Sequence, residues 1–202
     1  MKKIITIAIL YFITYNHAQA QTINIIDDDG SEILNAYYKD IDNRLNTYEG
    51  TWLFQNSSKY LKIVLVKKLN EFNGKYYEDL IVGEYQYIEN GVEKVNTLSE
   101  INIDYPGQND HNISGNFLIK KTSKPFCSDC LVDEKRLKLG LTEPNKGVYG
   151  ELIVKKTTTI NGFEAIKILI RDTGTSTINI VGQPQYDNCF SVPVGEYTLI
   201  KQ

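Results

Sequence analysis

The residues of common catalytic and metal sites are scarce in this chain of 202 residues, which has two His, one Trp, one Met and three Cys. The motif Cys127-Ser128-Asp129-Cys130 has no second C-x-x-C and no His pair to complete four zinc ligands. No serine lies in a Gly-x-Ser-x-Gly turn that would expose a nucleophile. We therefore predict no catalytic residue, no metal site and no cofactor.

A long apolar run is also lacking, because none reaches the roughly 20 residues that a membrane-spanning helix needs. The run from Ile4 to Tyr15 follows Lys2-Lys3 and precedes Ala18-Gln19-Ala20, the small-x-small pattern that signal peptidase cleaves. This pattern predicts a signal peptide over residues 1–20 and export to the periplasm or the extracellular space. A buried N-terminal helix is the alternative.

An excess of positive charge is lacking as well. The full chain has 22 Lys and Arg against 25 Asp and Glu. Two of the lysines lie in the predicted leader, which holds no acidic residue, so 20 basic and 25 acidic residues remain and the net charge is −5. A nucleic-acid-binding protein usually has a basic stripe. The composition therefore argues against nucleic acid as a partner.

Strand patterns dominate from Thr51 onward. Residues 136–141 and 165–170 alternate apolar and other side chains, the period of a half-buried strand. Asn90-Gly91 and Asn161-Gly162 lie between strand-like runs, and this dipeptide favours the tight turns of β-hairpins. These patterns predict an all-β protein of about eight to ten antiparallel strands.

The order of these strands favours a meander. Two similar three-stranded units are predicted at roughly 60–103 and 135–171, produced by duplication or by independent hairpin chemistry. Such a meander closes into a β-barrel or splits into a β-sandwich, and we predict the barrel. Residues 49–202 form this single domain, and residues 21–48 form an approach segment with a short helix expected between Ile33 and Leu45. Further strands are predicted at 177–181 and 196–201.

Two resemblances follow from particular residues. Tyr37-Tyr38-Lys39-Asp40, Tyr48 to Trp52 and Asp79 to Gly91 resemble an uncharacterised family of exported bacterial proteins, a domain of unknown function. Gly50-Thr51-Trp52 is similar to the Gly-x-Trp start of lipocalin-like barrels. That resemblance implies a Trp that closes one barrel end under a late basic residue, here Lys201 or Arg171.

The cysteines predict a disulfide, because an exported protein reaches an oxidising compartment. Cys127 and Cys130 can pair with each other, or either can pair with Cys189. We favour the Cys127–Cys130 bond, with Cys189 buried. A redox role would need the motif to open a helix after a strand, and the β-rich surroundings favour no such helix.

Several polar residues are interpreted as surface groups. His111 is the one histidine after the predicted leader, and it lies in a polar segment that predicts a surface loop. Glu78, Asp79, Glu84 and Glu89 lie on one predicted hairpin and are expected on a solvated face. Glycoside hydrolysis would require two such carboxylates about 5 to 9.5 Å apart.

Trp52, Tyr85 and Tyr87 are the candidate binding residues. Tyr85 and Tyr87 share one face of a strand by the period of two. On an outer face or in a cavity they would suit stacking against a ring or a partner protein. Alternatively, the rings and Trp52 complete the core and the hydroxyl groups lie at its rim.

Three functional hypotheses remain from the sequence. The first is a secreted, monomeric, non-enzymatic protein that binds an unknown protein or holds a small apolar ligand. The second is a secreted glycan hydrolase that uses carboxylates, and the third is a structural envelope protein. A dry apolar cavity would favour the first, whereas an accessible pair of close carboxylates would favour the second.

Overall fold

The computed structural model describes residues 21–122, 130–144, 146–175, 181–182 and 189–202. The predicted signal peptide, Cys127 and most of the strand predicted at 177–181 lie outside these residues. The strands are β1 (Thr22–Asn24), β2 (Tyr37–Lys39), β3 (Gly50–Gln55), β4 (Lys59–Phe72), β5 (Tyr77–Glu89), β6 (Val92–Asn96), β7 (Ile113–Ile119), β8 (Arg136–Glu143), β9 (Val148–Ile160), β10 (Phe163–Thr175) and β11 (Gly195–Lys201). Helical structure in the described ranges is limited to 3-10 turns at Ile25–Asp27, Leu45–Thr47, Leu98–Asn102 and Gln108–Asp110.

Eight of these strands close into an antiparallel β-barrel. Each strand of the barrel pairs with the next in the order β3, β4, β5, β7, β8, β9, β10 and β11. Strand β11 then pairs with β3 and closes the barrel. Strand β6 pairs with β5 outside the barrel, and β1 and β2 extend the sheet in parallel along the start of β5. The predicted barrel is confirmed, and the β-sandwich alternative is wrong because one sheet closes on itself.

Alternating side chains fill the barrel interior. Leu61, Ile63 and Leu65 of β4 are buried in one core with the alternating residues predicted on β8 and β10. Both predicted hairpins form, since Asn90-Gly91 joins β5 to β6 and Asn161-Gly162 joins β9 to β10. All four residues have positive φ, which suits Asn and Gly and matches the twist of hairpin strands.

The up-and-down order of the strands gives the barrel two distinct ends. Strands β3, β5, β8 and β10 begin at the end near Trp52, here called the Trp52 end. Strands β4, β7, β9 and β11 begin at the opposite end, here called the Val192 end because Val192 lies just before β11. The long connection from β5 through β6 to β7 covers the outside of the barrel.

The helix expected between Ile33 and Leu45 does not form. That stretch contains turns and strand β2, which pairs with β1 and β5. The carboxylate of Asp40 accepts hydrogen bonds from the backbone N–H groups of Arg44 and Leu45, at 2.8 and 2.9 Å. A short polar side chain that binds nearby backbone in this way favours a turn over a helix.

Candidate functional site

Trp52 closes one end of the barrel. Its side chain is fully buried, and its indole N–H donates to the carbonyl of Tyr48 at 2.8 Å. Lys201 pairs with Trp52 in the β11–β3 register, and its ammonium lies 5.4 Å from the centre of the ring. Lys201 therefore takes the place that the lipocalin resemblance implied, whereas Arg171 pairs with Glu151 on the outer face.

Tyr85 and Tyr87 both point into the barrel and are buried. The hydroxyl of Tyr85 donates to the carbonyl of Thr142 at 3.0 Å, and that of Tyr87 donates to Glu89 at 3.1 Å. Burial raises the pKa of both phenols above their ordinary range. The rings thus belong to the core, and their use in ligand binding stays a prediction.

A small apolar cavity lies between the barrel wall and Val192. Side chains from six strands line it, including Leu61, Tyr85, Leu152 and Ile170. The space open to the centre of a water-sized sphere is about 10 Å³, which is close to the room that one water molecule needs. Cavities with an apolar lining offer a water molecule no hydrogen-bond partners and suit apolar groups.

The cavity is closed at the Val192 end by residues 189–194, here called the plug segment. Phe190 and Val192 are its buried side chains. The N–H and hydroxyl of Ser191 each donate to the buried carboxylate of Glu143 at 2.6 Å. The ammonium of Lys146 donates to Ser191 Oγ at 2.9 Å and to the carbonyl of Cys189 at 3.1 Å. These bonds fasten the segment over the cavity.

Cys189 begins this plug segment, and the prediction that it is buried is wrong. Its side chain is exposed, whereas that of Cys130 is buried against Ile119 and Ile153 on the outside of the barrel. Since Cys127 lies outside the described residues, the Cys127–Cys130 disulfide stays a prediction.

His111 is buried, so the prediction of a surface loop histidine is wrong. Its Nδ1 lies 2.8 Å from Glu84 on the outer face of β5, and neither side chain is exposed. Asn112 Nδ2 donates to Glu84 at 2.8 Å and to Glu100 at 3.0 Å. The β6–β7 connection covers the strand here, and the paired polar groups offset the cost of burial.

The solvated face predicted for four β5 carboxylates is also wrong for three of them, whereas Glu89 is partly exposed. Besides Glu84, both Glu78 and Asp79 are buried. Asp79 accepts hydrogen bonds from the Tyr37 hydroxyl at 2.5 Å and from the backbone N–H of Asp40 at 2.9 Å. Glu78 accepts from the side chains of Asn73 and Asn109 in neighbouring connections and of Asn116 on β7. These carboxylates anchor loops to the barrel and do not face one another across a cleft.

Metal sites and membrane-spanning helices are two further features considered for the described ranges. Within them, no three His, Cys, Asp or Glu side chains come together as ligands for a metal ion. None of the helical segments described is both long and apolar enough to span a membrane.

The eight-stranded antiparallel barrel, closed at one end by a tryptophan under a cation, defines a lipocalin-like β-barrel protein. The chain belongs to DUF6705, a family of unknown function whose model matches residues 1–202. Neither a curated protein nor a solved structure matches the chain.

The sequence predicted the barrel and the Trp52 contact but missed the plug segment and the buried Glu84–His111 pair. A hydrogen bond between Ser191 and Glu143, which are 48 positions apart in the chain, holds Val192 in place. No local pattern marks such a contact. The sequence indicates the plug segment only through two apolar residues, Phe190 and Val192, in a connection between strands.

Proposed function

We propose that this protein is an exported, non-enzymatic binding protein that holds a small apolar ligand in its barrel. The observation that carries the proposal is the small cavity behind Val192, whose lining is apolar. Binding sites for small molecules are concave and mostly apolar, and barrels of this type hold them near one mouth. The ligand class that fits such a lining is a small hydrocarbon-rich molecule or chain.

The size of the cavity determines where the ligand enters. Free space of about 10 Å³ admits no more than a water molecule, so a ligand replaces side chains that now fill the mouth. Phe190 and Val192 are the side chains that belong to a connection and not to the barrel wall. Displacement of the plug segment would open the cavity while the paired strands stay intact.

The glycan hydrolase hypothesis has weaker support. Glu84 and Glu100 are neighbouring carboxylates, because Asn112 Nδ2 donates to both, at 2.8 and 3.0 Å. Glu84 is fully buried, however, and its two oxygens are occupied by His111 and Asn112. A sugar could not reach this carboxylate without unfolding of the β6–β7 connection.

Export is supported by the leader pattern at residues 1–20. The first residue expected after cleavage, Gln21, already belongs to the fold, because its carbonyl accepts the N–H of Tyr37 at 2.8 Å. Cleavage after Ala20 would therefore remove none of the described strands. A Cys127–Cys130 disulfide is consistent with the same destination.

Native mass spectrometry of the protein purified from an exporting host tests the proposal. After incubation with envelope extract, we expect a small added mass that is lost on unfolding, and a chain that starts at Gln21. The fluorescent apolar probe 1-N-phenylnaphthylamine should bind and compete with that ligand.

Two variants of the plug segment sharpen this test. Val192→Ala enlarges the cavity and should raise the affinity for the probe severalfold. The matched control is Val194→Ala, since Val194 is 58% exposed two residues further on and should leave binding unchanged. Absence of both an added mass and probe binding, in the wild type and in Val192→Ala, would overturn the proposed function.

A further inference from the structure

Two connections at the Trp52 end expose large apolar side chains. Leu131 and Val132, in the β7–β8 connection, are 75% and 71% exposed. Phe163 is 59% exposed at the tip of the β9–β10 hairpin, where it pairs with the partly exposed Ile160. We call these four residues the apolar rim. Exposed apolar side chains grouped in this way mark interaction surfaces, whereas isolated ones need no explanation.

An ion pair shows that the two connections are neighbours. Lys155, on β9 below the hairpin tip, lies 3.0 Å from Glu134, which follows Val132 by two residues. The hairpin itself extends beyond the barrel, because β8 and β11 pair with β9 and β10 only as far as Val154 and Ala165. The rim therefore projects from one side of the Trp52 end.

Lysines surround the apolar rim. Lys155 pairs with Glu134 at 3.0 Å, and Lys156 and Lys201 pair with Glu164 at 3.5 and 2.8 Å. Lys167 is exposed directly opposite Lys155 in the β9–β10 register, and Arg136 also pairs with Glu134. These five cations outnumber the three neighbouring carboxylates, Glu134, Glu164 and the exposed Asp133. The rim region is thus locally positive in a chain whose formal net charge is −3.

The opposite end of the barrel carries the contrasting hairpin. Asn90-Gly91 joins β5 to β6 at the Val192 end, where Glu89 and Glu93 flank the exposed Val92. The two hairpins share the same turn dipeptide but differ in their charged neighbours.

We propose that the apolar rim and its lysines bind the surface of an anionic lipid bilayer, with the barrel resting on its Trp52 end. Lysines attract the negative surface, while apolar side chains enter the boundary between headgroups and acyl chains. A soluble polyanion would engage the lysines but would leave Phe163 and Leu131 in water. The β5–β6 hairpin, flanked by Glu89 and Glu93, would be repelled, so charge favours contact through the rim region. This inference does not depend on the proposed ligand cavity.

Co-sedimentation of the processed protein with vesicles tests the inference. We expect binding to vesicles of equal parts phosphatidylcholine and phosphatidylglycerol, weak binding to phosphatidylcholine alone, and release by salt. The double variant Ile160→Ser, Phe163→Ser should weaken binding by about tenfold or more, since it removes the inserted side chains. The double variant Lys155→Gln, Lys156→Gln should also weaken vesicle binding and reduce the dependence of binding on salt.

The second Asn-Gly hairpin provides the matched control. Val92→Ser, Lys94→Gln changes the same residue types on an exposed hairpin at the Val192 end and should leave vesicle binding unchanged. Equal binding to both vesicle types, or no binding to either, would overturn the inference. A loss of binding in the control variant equal to that in the rim variants would also overturn it, because the surface would then have no defined location.

Discussion

The ammonium group of Lys201 lies 5.4 Å from the centre of the Trp52 ring, at the end of the barrel where the first and last strands meet. Gly50 makes this arrangement possible, because a Cβ there would come 2.8 Å from Lys201 Cε. Its φ of +136° is also one that other residues rarely adopt. The closure of the barrel therefore depends on a glycine, a tryptophan and a lysine together.

Replacement of Lys201 tests the energy of this contact. Lys201→Met keeps an apolar stem but removes the cation above Trp52 and the ion pair with Glu164. We expect a loss of about 1 kcal/mol in the free energy of unfolding, measured in urea. Lys156→Met removes the other lysine partner of Glu164 without touching Trp52, and it should cost less than about 0.5 kcal/mol. Equal losses in the two variants would assign the effect to Glu164 and not to the ring.

The buried carboxylate of Glu84 gives a second prediction. In Glu84→Gln an NH2 group replaces one carboxylate oxygen. Each oxygen accepts from an N–H group of Asn112, so in either orientation of the amide one buried hydrogen bond is lost. We expect a decrease of about 2 kcal/mol in the free energy of unfolding. Glu89→Gln makes the same chemical change on the same strand at a partly exposed position and should cost under about 0.5 kcal/mol. Similar stabilities of the two variants would contradict the anchoring role of Glu84.

These results show which parts of the molecule local sequence patterns predict. Period-two alternation over 136–141 and the turn dipeptide Asn161-Gly162 each describe a few adjacent residues, and both predictions are confirmed. Burial of Glu84 and His111 depends instead on a connection that folds back across the outside of β5, 27 residues further along the chain. No single-strand pattern contains that information, because charged residues on a strand usually face water.

The same distinction applies to the candidate site. Trp52, Tyr85 and Tyr87 were identified from residue type and alternation, and the structure places all three in the barrel interior. The closure of the cavity by Val192 depends on the long-range bond between Ser191 and Glu143. Contacts of this kind are set by tertiary structure, so local sequence patterns do not predict them.

The fastening of the plug segment gives a third prediction. Ser191→Ala removes the hydroxyl that donates to Glu143 and accepts from Lys146, while the backbone bond from Ser191 remains. We expect the amide of residue 191 to exchange its hydrogen about tenfold faster, which corresponds to ~1.4 kcal/mol of local stability. Ser58→Ala, at a turn of the same barrel end, should leave this amide unchanged. Unaltered exchange in Ser191→Ala would show that the hydroxyl does not hold the segment.

Tyr48 gives a prediction about alkaline pH. Burial raises the pKa of its phenol from 10.0 to about 12, an effect that Arg44 partly opposes. Between these values the folded state keeps a proton that the unfolded state loses. The contribution of Tyr48 is therefore fully present below pH 10.0, falls as the pH rises, and is lost as the pH passes about 12. A shift of this size corresponds to on the order of 2 kcal/mol.

The effect can be measured from urea unfolding between pH 9 and pH 11.5, together with absorbance at 295 nm to follow phenolate formation. Burial also raises the pKa of Tyr37, Tyr85 and Tyr87, so the wild-type protein should lose stability steeply over this range. Tyr48→Phe should lose it less steeply, because the hydroxyl of Tyr48 makes only a 3.4 Å contact with the carbonyl of Lys135 and its removal costs little at neutral pH. An identical slope in the variant would mean that Tyr48 ionises in the folded state as it does in the unfolded chain. Its ring would then be open to water, and the Trp52 end of the barrel would be less tightly closed than the hydrogen bond between Trp52 and Tyr48 implies.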